Sequence, residues 1–345
     1  MKRRANYLVG SLLCAALAAM AAVALVRAWK GRANAQLNPY AYSLEEFRNV
    51  PPQLLRYREA LSIPVGVQTP RALAVDGHDR IYAAGANELA VFTPNGDPVA
   101  SFPLDSPARC LAVGESGEIL VGTTHHVDVY NPTGGLKVSW VSLGELALLT
   151  SVAIRRDLVF VADAGTRVVW RLDTSGRLLG AIGADENGGA SRHFVVPSPY
   201  FDVAVGRKGD LWIVNPGEGR IERYTQAGAF VSSWGRPSMS IEGFCGCCNP
   251  VHLALRSDGA IVTSEKGLPR IKVCDASGNL LAVVAAPNAL EGSGESAGPE
   301  LNSAAEAPGL DLAVDSTGRV LALDAIKGAI RVFVEKDPVA GSSVR

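Results

Sequence analysis

Ala72-Leu73-Ala74-Val75-Asp76, Arg80-Ile81-Tyr82-Ala83-Ala84, Leu89-Ala90-Val91-Phe92 and Val99-Ala100-Ser101-Phe102 follow one another closely, with Gly77, Gly85 and Asn95-Gly96 among the residues between them. Each stretch is short and rich in apolar residues, and each gap holds residues that tolerate the positive φ of a tight turn, so the segment predicts four strands in an up-and-down sheet. The same order restarts at Cys110, Ser151, Asp202, His252 and Asp311, at intervals of 38, 41, 51, 50 and 59 residues. A four-strand unit recurring at this period is the pattern of a β-propeller blade. Six copies predict an all-β, six-bladed β-propeller over residues 54–336.

Inner strands such as Val203-Ala204-Val205 are continuously apolar and small, which suits close packing at an axis. Outer strands such as Arg270-Ile271-Lys272-Val273 alternate, as half-buried strands do. The sixth unit stops one strand short, while residues 54–61 precede the first unit without a partner. They are expected to supply the missing outer strand, so that no sheet edge is left open to aggregation.

The stretch Val159-Phe160-Val161-Ala162-Asp163-Ala164-Gly165-Thr166-Arg167-Val168-Val169-Trp170-Arg171-Leu172-Asp173-Thr174-Ser175-Gly176 resembles an NHL repeat, and residues 318–334 resemble it too. The resemblance covers about residues 54–336 and implies an NHL-type propeller. It implies little about activity, because similar folds serve as scaffolds, nucleic-acid readers, sugar lactonases and a peptide-amidating lyase. The first unit departs most, with Gly85 where the pattern has a polar residue.

The chain of 345 residues is 48% apolar and 19% charged, with a formal net charge of -1. No global basic field is present, so no nucleic-acid partner is expected. Lys2, Arg3 and Arg4 precede an uncharged run over residues 5–26, whose roughly 33 Å helical length would cross a hydrocarbon core of about 30 Å. Residues 1–30 therefore read as an N-terminal transmembrane signal anchor, residues 31–53 as a tether and residues 337–345 as a tail. Ala33-Asn34-Ala35 resembles a cleavage site, so a cleaved signal is the alternative. The expected location is the cell membrane, single-pass, with the propeller on the extracytoplasmic (periplasmic) side.

The chemistry is concentrated in Gly243-Phe244-Cys245-Gly246-Cys247-Cys248-Asn249-Pro250-Val251-His252, which holds three of the six cysteines and a histidine. Residues that start inner strands (Asp202, His252, Asp311) and those that end second strands (Asp163, Asn215, Glu265, Asp324) should ring one mouth. Concave polar mouths of this kind are default binding sites. Cys247, Cys248 and His252, with Cys110 from across the rim, make a candidate zinc or copper set, since thiolate and imidazole suit both ions.

A disulfide joining Cys245 to Cys248 or to Cys110 is the competing reading for an exported domain, and free or redox-active thiols are a third. Cys245, Asp202, Glu265, Asp311, Asp163, Asn215 and Asp324 are the candidate binding groups, while Cys274 reads as a buried apolar residue. No nucleophile elbow, phosphate-cradling loop or HExxH helix is present. The leading expectation is a ligand- or protein-binding module. The alternatives are a metal-dependent lactonase- or lyase-like enzyme and a redox or metal-carrying partner of a membrane complex.

Overall fold

The computed structural model describes residues 45–184, 193–290 and 309–337. The predicted anchor, residues 31–44 of the tether and the tail from residue 338 lie outside the described residues, as do parts of the loops 184–200 and 286–309. Among the described residues no helix is long and apolar enough to cross a membrane. The chain divides into residues 1–46 and 47–345, and the propeller lies in the second unit.

Six antiparallel four-stranded sheets form the blades. Blade 1 runs through Ala72–Val75, Ile81–Ala84, Glu88–Phe92 and Pro98–Pro103. Blade 2 uses Cys110–Val113, Ile119–Gly122, Val127–Tyr130 and Leu136–Ser139. Blade 3 uses Leu149–Arg155, Leu158–Asp163, Val168–Asp173 and Leu178–Ile182. Blade 4 uses Val203–Val205, Leu211–Asn215, Arg220–Tyr224 and Phe230–Trp234. Blade 5 uses His252–Leu255, Ile261–Glu265, Arg270–Cys274 and Leu280–Ala285. Blade 6 takes its three inner strands from Asp311–Val314, Val320–Asp324 and Ala329–Glu335.

The fourth strand of blade 6 is Tyr57–Pro64, paired antiparallel with Ala329–Glu335 from Tyr57 opposite Glu335 to Pro64 opposite Ala329. The first of the described strands therefore closes the last blade, and among the described residues the ring has no free seam. Tyr57 and Ile63 are buried on this strand, in two different inter-blade cores.

The apolar core lies between neighbouring blades. Phe160, Phe201, Trp212, Ile221 and Phe244 fill one such layer around blades 3 to 5. The hairpin turns seat glycines against the preceding blade. Gly176 has φ +84°, and a Cβ built there would stand 2.5 Å from the Trp140 ring. Both the left-handed backbone and the missing side chain are required at that turn.

Candidate functional site

The second strands end in side chains that turn into the sheet rather than into the mouth. Asp163 is fully buried; its Oδ1 accepts the N–H groups of Leu148 (2.8 Å), Gly165 (3.0 Å) and Thr166 (3.2 Å). Its Oδ2 accepts from Thr166 Oγ1 and from Trp170 Nε1. Asn215 accepts the Val195 N–H at 3.0 Å and donates to Glu222. Glu265 accepts the Cys245 N–H at 2.7 Å, and the buried Arg270 and Lys272 both pair with it. Asp324 accepts the Lys327 N–H at 3.0 Å and lies 4.0 Å from Arg331.

In blades 3, 4 and 5 the side chain at this register thus fastens the preceding inter-blade loop to the sheet. Buried polar groups need such partners, because an unpaired one costs about 1–3 kcal/mol. These four residues are occupied internally.

The residues that open the inner strands behave differently. Asp202 Oδ2 accepts the Leu253 N–H of the next blade at 2.8 Å, and Asp311 Oδ2 accepts the Leu73 N–H at the same distance. His252 stands between them in the ring, its Nδ1 3.5 Å from Asp202 Oδ2 and 3.5 Å from Asp311 Oδ1. Burial would push the His252 pKa down, but the two carboxylates outweigh it and hold it above the ordinary value. Burial, reinforced by Asp202, pushes Asp311 up to about 6 against the pull of His252. Three adjacent blades thereby bring one imidazole and two carboxylates together at the axis.

One position before Ala72, Cys110, Ser151, Asp202, His252 and Asp311 in the repeat the polarity is reversed: Arg71, Arg109 and Thr150 stand there in blades 1 to 3, and Phe201, Val251 and Leu310 in blades 4 to 6. Arg71, Arg109, Thr150, His252, Asp311 and Tyr200 line a mouth cavity of about 700 Å3, completed by Pro197, Pro199 and Ile326. Neither arginine has an acidic partner among the described residues, and Arg109 Nε donates to the Leu149 carbonyl at 3.0 Å. Burial and then the charge of Arg71 depress the Arg109 pKa. The Tyr200 hydroxyl accepts the Gly309 N–H at 3.0 Å, and its ring meets His252 edge-on.

The opposite end of the axis carries a larger concavity of about 810 Å3. Its charges are largely matched internally, as in Asp76–Arg80 (2.7 Å), Asp210–Arg223 (2.9 Å) and Asp258–Arg256 (3.0 Å). Arg207 and Lys208 on that lining are exposed and have no ion pair among the described residues; what distinguishes the His252 end is that Arg71 stands near the partly buried Arg109.

Arg71, Arg109 and Tyr200 are absent from the set that the sequence suggests. Arg71 and Arg109 have a signal there nonetheless, because each stands one residue before an inner-strand start, in a register fixed by the repeat.

The cysteines do not assemble as a ligand set. Among the described residues no group of three or more His, Cys, Asp and Glu side chains is placed to hold a metal ion, so Cys247, Cys248, His252 and Cys110 are not gathered around one point. His252 is engaged by carboxylates, and Cys110 packs its sulfur against Gly122, where a Cβ would come within 2.2 Å of it. Burial raises the Cys110 thiol pKa far above the ordinary range, which keeps it protonated and unreactive.

Nor is Cys245 joined to Cys248 or Cys110, since its sulfur faces Met239 Sδ at 3.3 Å and all five described cysteines are free thiols. Cys247 and Cys248 do meet, with sulfurs 3.3 Å apart. Cys274 is buried, and burial pushes its thiol up to about 11.

No protein-family model matches the chain, and no curated protein matches it. Solved structures similar to it include a streptogramin B lyase, at 13% identity over 81% of this chain and 97% of that one, with a TM-score of 0.53. A virginiamycin B lyase from Staphylococcus aureus is similar at 14% identity over 81% and 100% of the two chains, TM-score 0.54. The WD40 β-propeller domain of Doa1 aligns at 11% identity over 78% and 79%, TM-score 0.51. Likeness at this level establishes the propeller fold alone.

Proposed function

We propose that this chain is an NHL-type propeller carried at the outer side of the cell membrane by residues 1–30, and that it is a binding module whose mouth takes a small anionic ligand. The observation that carries this reading is the pair Arg71 and Arg109, two guanidinium groups facing one cavity of about 700 Å3 without an acidic partner among the described residues. Like charges held together are mutually unfavourable, and an anion between them relieves that repulsion while accepting charge-assisted, bidentate hydrogen bonds. The cavity volume falls within the ~300–1,000 Å3 typical of small-molecule sites. Pro197, Pro199 and Ile326 offer an apolar wall to the body of such a ligand.

The test is thermal denaturation of the full-length chain in detergent, with aromatic and aliphatic carboxylates and their neutral amide counterparts. Carboxylates should raise the melting temperature, amides should not, and Arg71→Met and Arg109→Met should each abolish the rise. Equal responses to acid and amide, or retained responses in both variants, would overturn the reading. The membrane location is checked separately: the full chain should pellet with membranes and a chain lacking residues 1–35 should not.

The coupled His252, Asp202 and Asp311 favour a second reading, an enzyme of the lyase or lactonase kind acting on the bound anion. His252→Gln should then abolish turnover while leaving carboxylate binding in place; loss of binding in that variant would count against a separate catalytic role.

A further inference from the structure

The geometry points to a chelating dithiol site at Cys247 and Cys248 for a trivalent thiophilic metalloid of the arsenic(III) class. In an extended strand, neighbouring side chains point to opposite faces. Here Gly246, at φ +79°, turns the chain, and the two sulfurs come to 3.3 Å.

The turn is held from both sides. Glu265 accepts the Cys245 N–H, and the Asn249 side chain bonds the carbonyls of Cys245 and Lys266 and the Lys266 N–H. The thiols are therefore paired before any ligand arrives, and little conformational freedom remains to be lost on binding.

The separation selects among soft ions. With metal–sulfur bonds of about 2.3 Å, a tetrahedral ion would spread two sulfurs to about 3.8 Å and a linear one to about 4.6 Å. At the observed 3.3 Å the same bonds subtend an angle of about 90°. A near-right angle is the preference of a pyramidal trivalent centre that carries a lone pair. Cys247 is exposed and offers entry, while Cys248 is buried beside Ser198, which hydrogen-bonds its thiol. The Lys266 ammonium is a charge neighbour of both sulfurs and lies 4.5 Å above the Tyr200 ring. Ser198 and Tyr200 also line the mouth, so the dithiol sits at its rim.

Capture is a condensation. Two arsenic–sulfur bonds form, two S–H bonds break, and the oxygen of the arsenous group leaves as water with both protons. Arsenic stays trivalent, so no oxidant or reductant is needed.

The test is titration of the reduced full-length chain with phenylarsine oxide, read by thiol counting, intact mass and peptide mapping. One equivalent should remove two reactive thiols and add one aryl-arsenic group, mapped to the peptide that holds Cys247 and Cys248. Cys247→Ser or Cys248→Ser should weaken capture at least 100-fold, whereas Cys110→Ser and Cys274→Ser should leave it unchanged.

Because the mapping is done on the unmodified chain, its outcome does not depend on a variant folding. Arsenic mapped elsewhere, thiols lost without arsenic gained, or undiminished capture in the Cys247→Ser and Cys248→Ser double variant would each overturn the assignment.

Discussion

The carboxylate of Asp311 accepts the backbone N–H of Leu73 at 2.8 Å, joining residues 238 positions apart across the boundary between the last blade and the first. The bond closes the ring at its axis, while the Tyr57–Pro64 strand closes it at the rim. Asp202 makes the same inner link from blade 4 to Leu253 of blade 5. Both acidic residues thus have a structural duty, and Asp311 also lines the mouth.

The outer closure should be worth several kcal/mol. Ile63 is 2% exposed and packs with Ile81, Leu323 and Ile330. Ile63→Ala should cost about 2–5 kcal/mol, the range for large-to-small changes in a packed core. Urea denaturation measures it, and a loss under about 1 kcal/mol would show that the first strand adds little to the ring.

The mouth should make stability depend on pH with a definite sign. Asp311 is raised to about 6, so the folded state holds a proton that the unfolded chain has released above the ordinary carboxylate range. Its contribution is largest at low pH and declines as pH rises through 6. His252 is raised as well, and its contribution is also lost as pH rises through its folded value. Asp311 keeps a fifth of its side chain exposed, so its share is at most on the order of 2–3 kcal/mol. Asp311→Asn should flatten the difference in denaturation midpoint between pH 4 and 6 relative to the parent chain; identical pH profiles would refute the coupling.

The blades are legible in the sequence because their signals are local: apolar runs and Asn-Gly or Asp-Gly turns repeat within a span of a few residues. The closing strand is expected over residues 54–61 and lies at Tyr57–Pro64. That shift of register is set by pairing with Ala329–Glu335, about 270 residues away, which no local pattern encodes.

The site is less legible for a related reason. Asp163, Asn215, Glu265 and Asp324 have the composition of a rim, yet neighbouring loops cover them and bring backbone amides to three of them. Their inward turn depends on partners in the inter-blade loops and in the next strand and turn of the same blade. The spacing of the cysteine loop suggests His252 as a partner, but Asp202 and Asp311 flank that imidazole from blades on either side. Arg71 and Arg109 share a register that the repeat does mark, one residue outside the strand starts, where an isolated arginine reads as an ordinary solvated loop residue.

Glu265 ties the cysteine loop to blade 5 and neutralises two buried cations. Arg270 and Lys272 are both essentially inaccessible to solvent and both pair with this one carboxylate. Glu265→Ala should cost about 3–5 kcal/mol, because it leaves buried positive charge uncompensated. It also removes the acceptor of the Cys245 N–H, so Cys245 and Cys248 should react faster with a thiol reagent in conditions where the variant is still folded. Unchanged thiol reactivity would mean that Asn249 alone holds the loop.

An anion site differs from an ordinary charged surface in how it responds to salt and to ligand. Arg71 is exposed and has no acidic partner among the described residues, whereas Arg109 lies deeper and is bonded to the Leu149 carbonyl. Replacing Arg71 by Met removes the like charge facing Arg109 without breaking an ion pair of its side chain. In dilute buffer the variant should therefore be more stable than the parent, by on the order of 1 kcal/mol or less. Added sodium chloride screens the same repulsion and should narrow that gap, while a bound carboxylate should reverse it by stabilising only the parent. Melting curves of the two chains at low salt, high salt and with carboxylate make the comparison. A variant that is less stable at low salt and still responds to carboxylate would show that Arg71 serves packing and not anion capture.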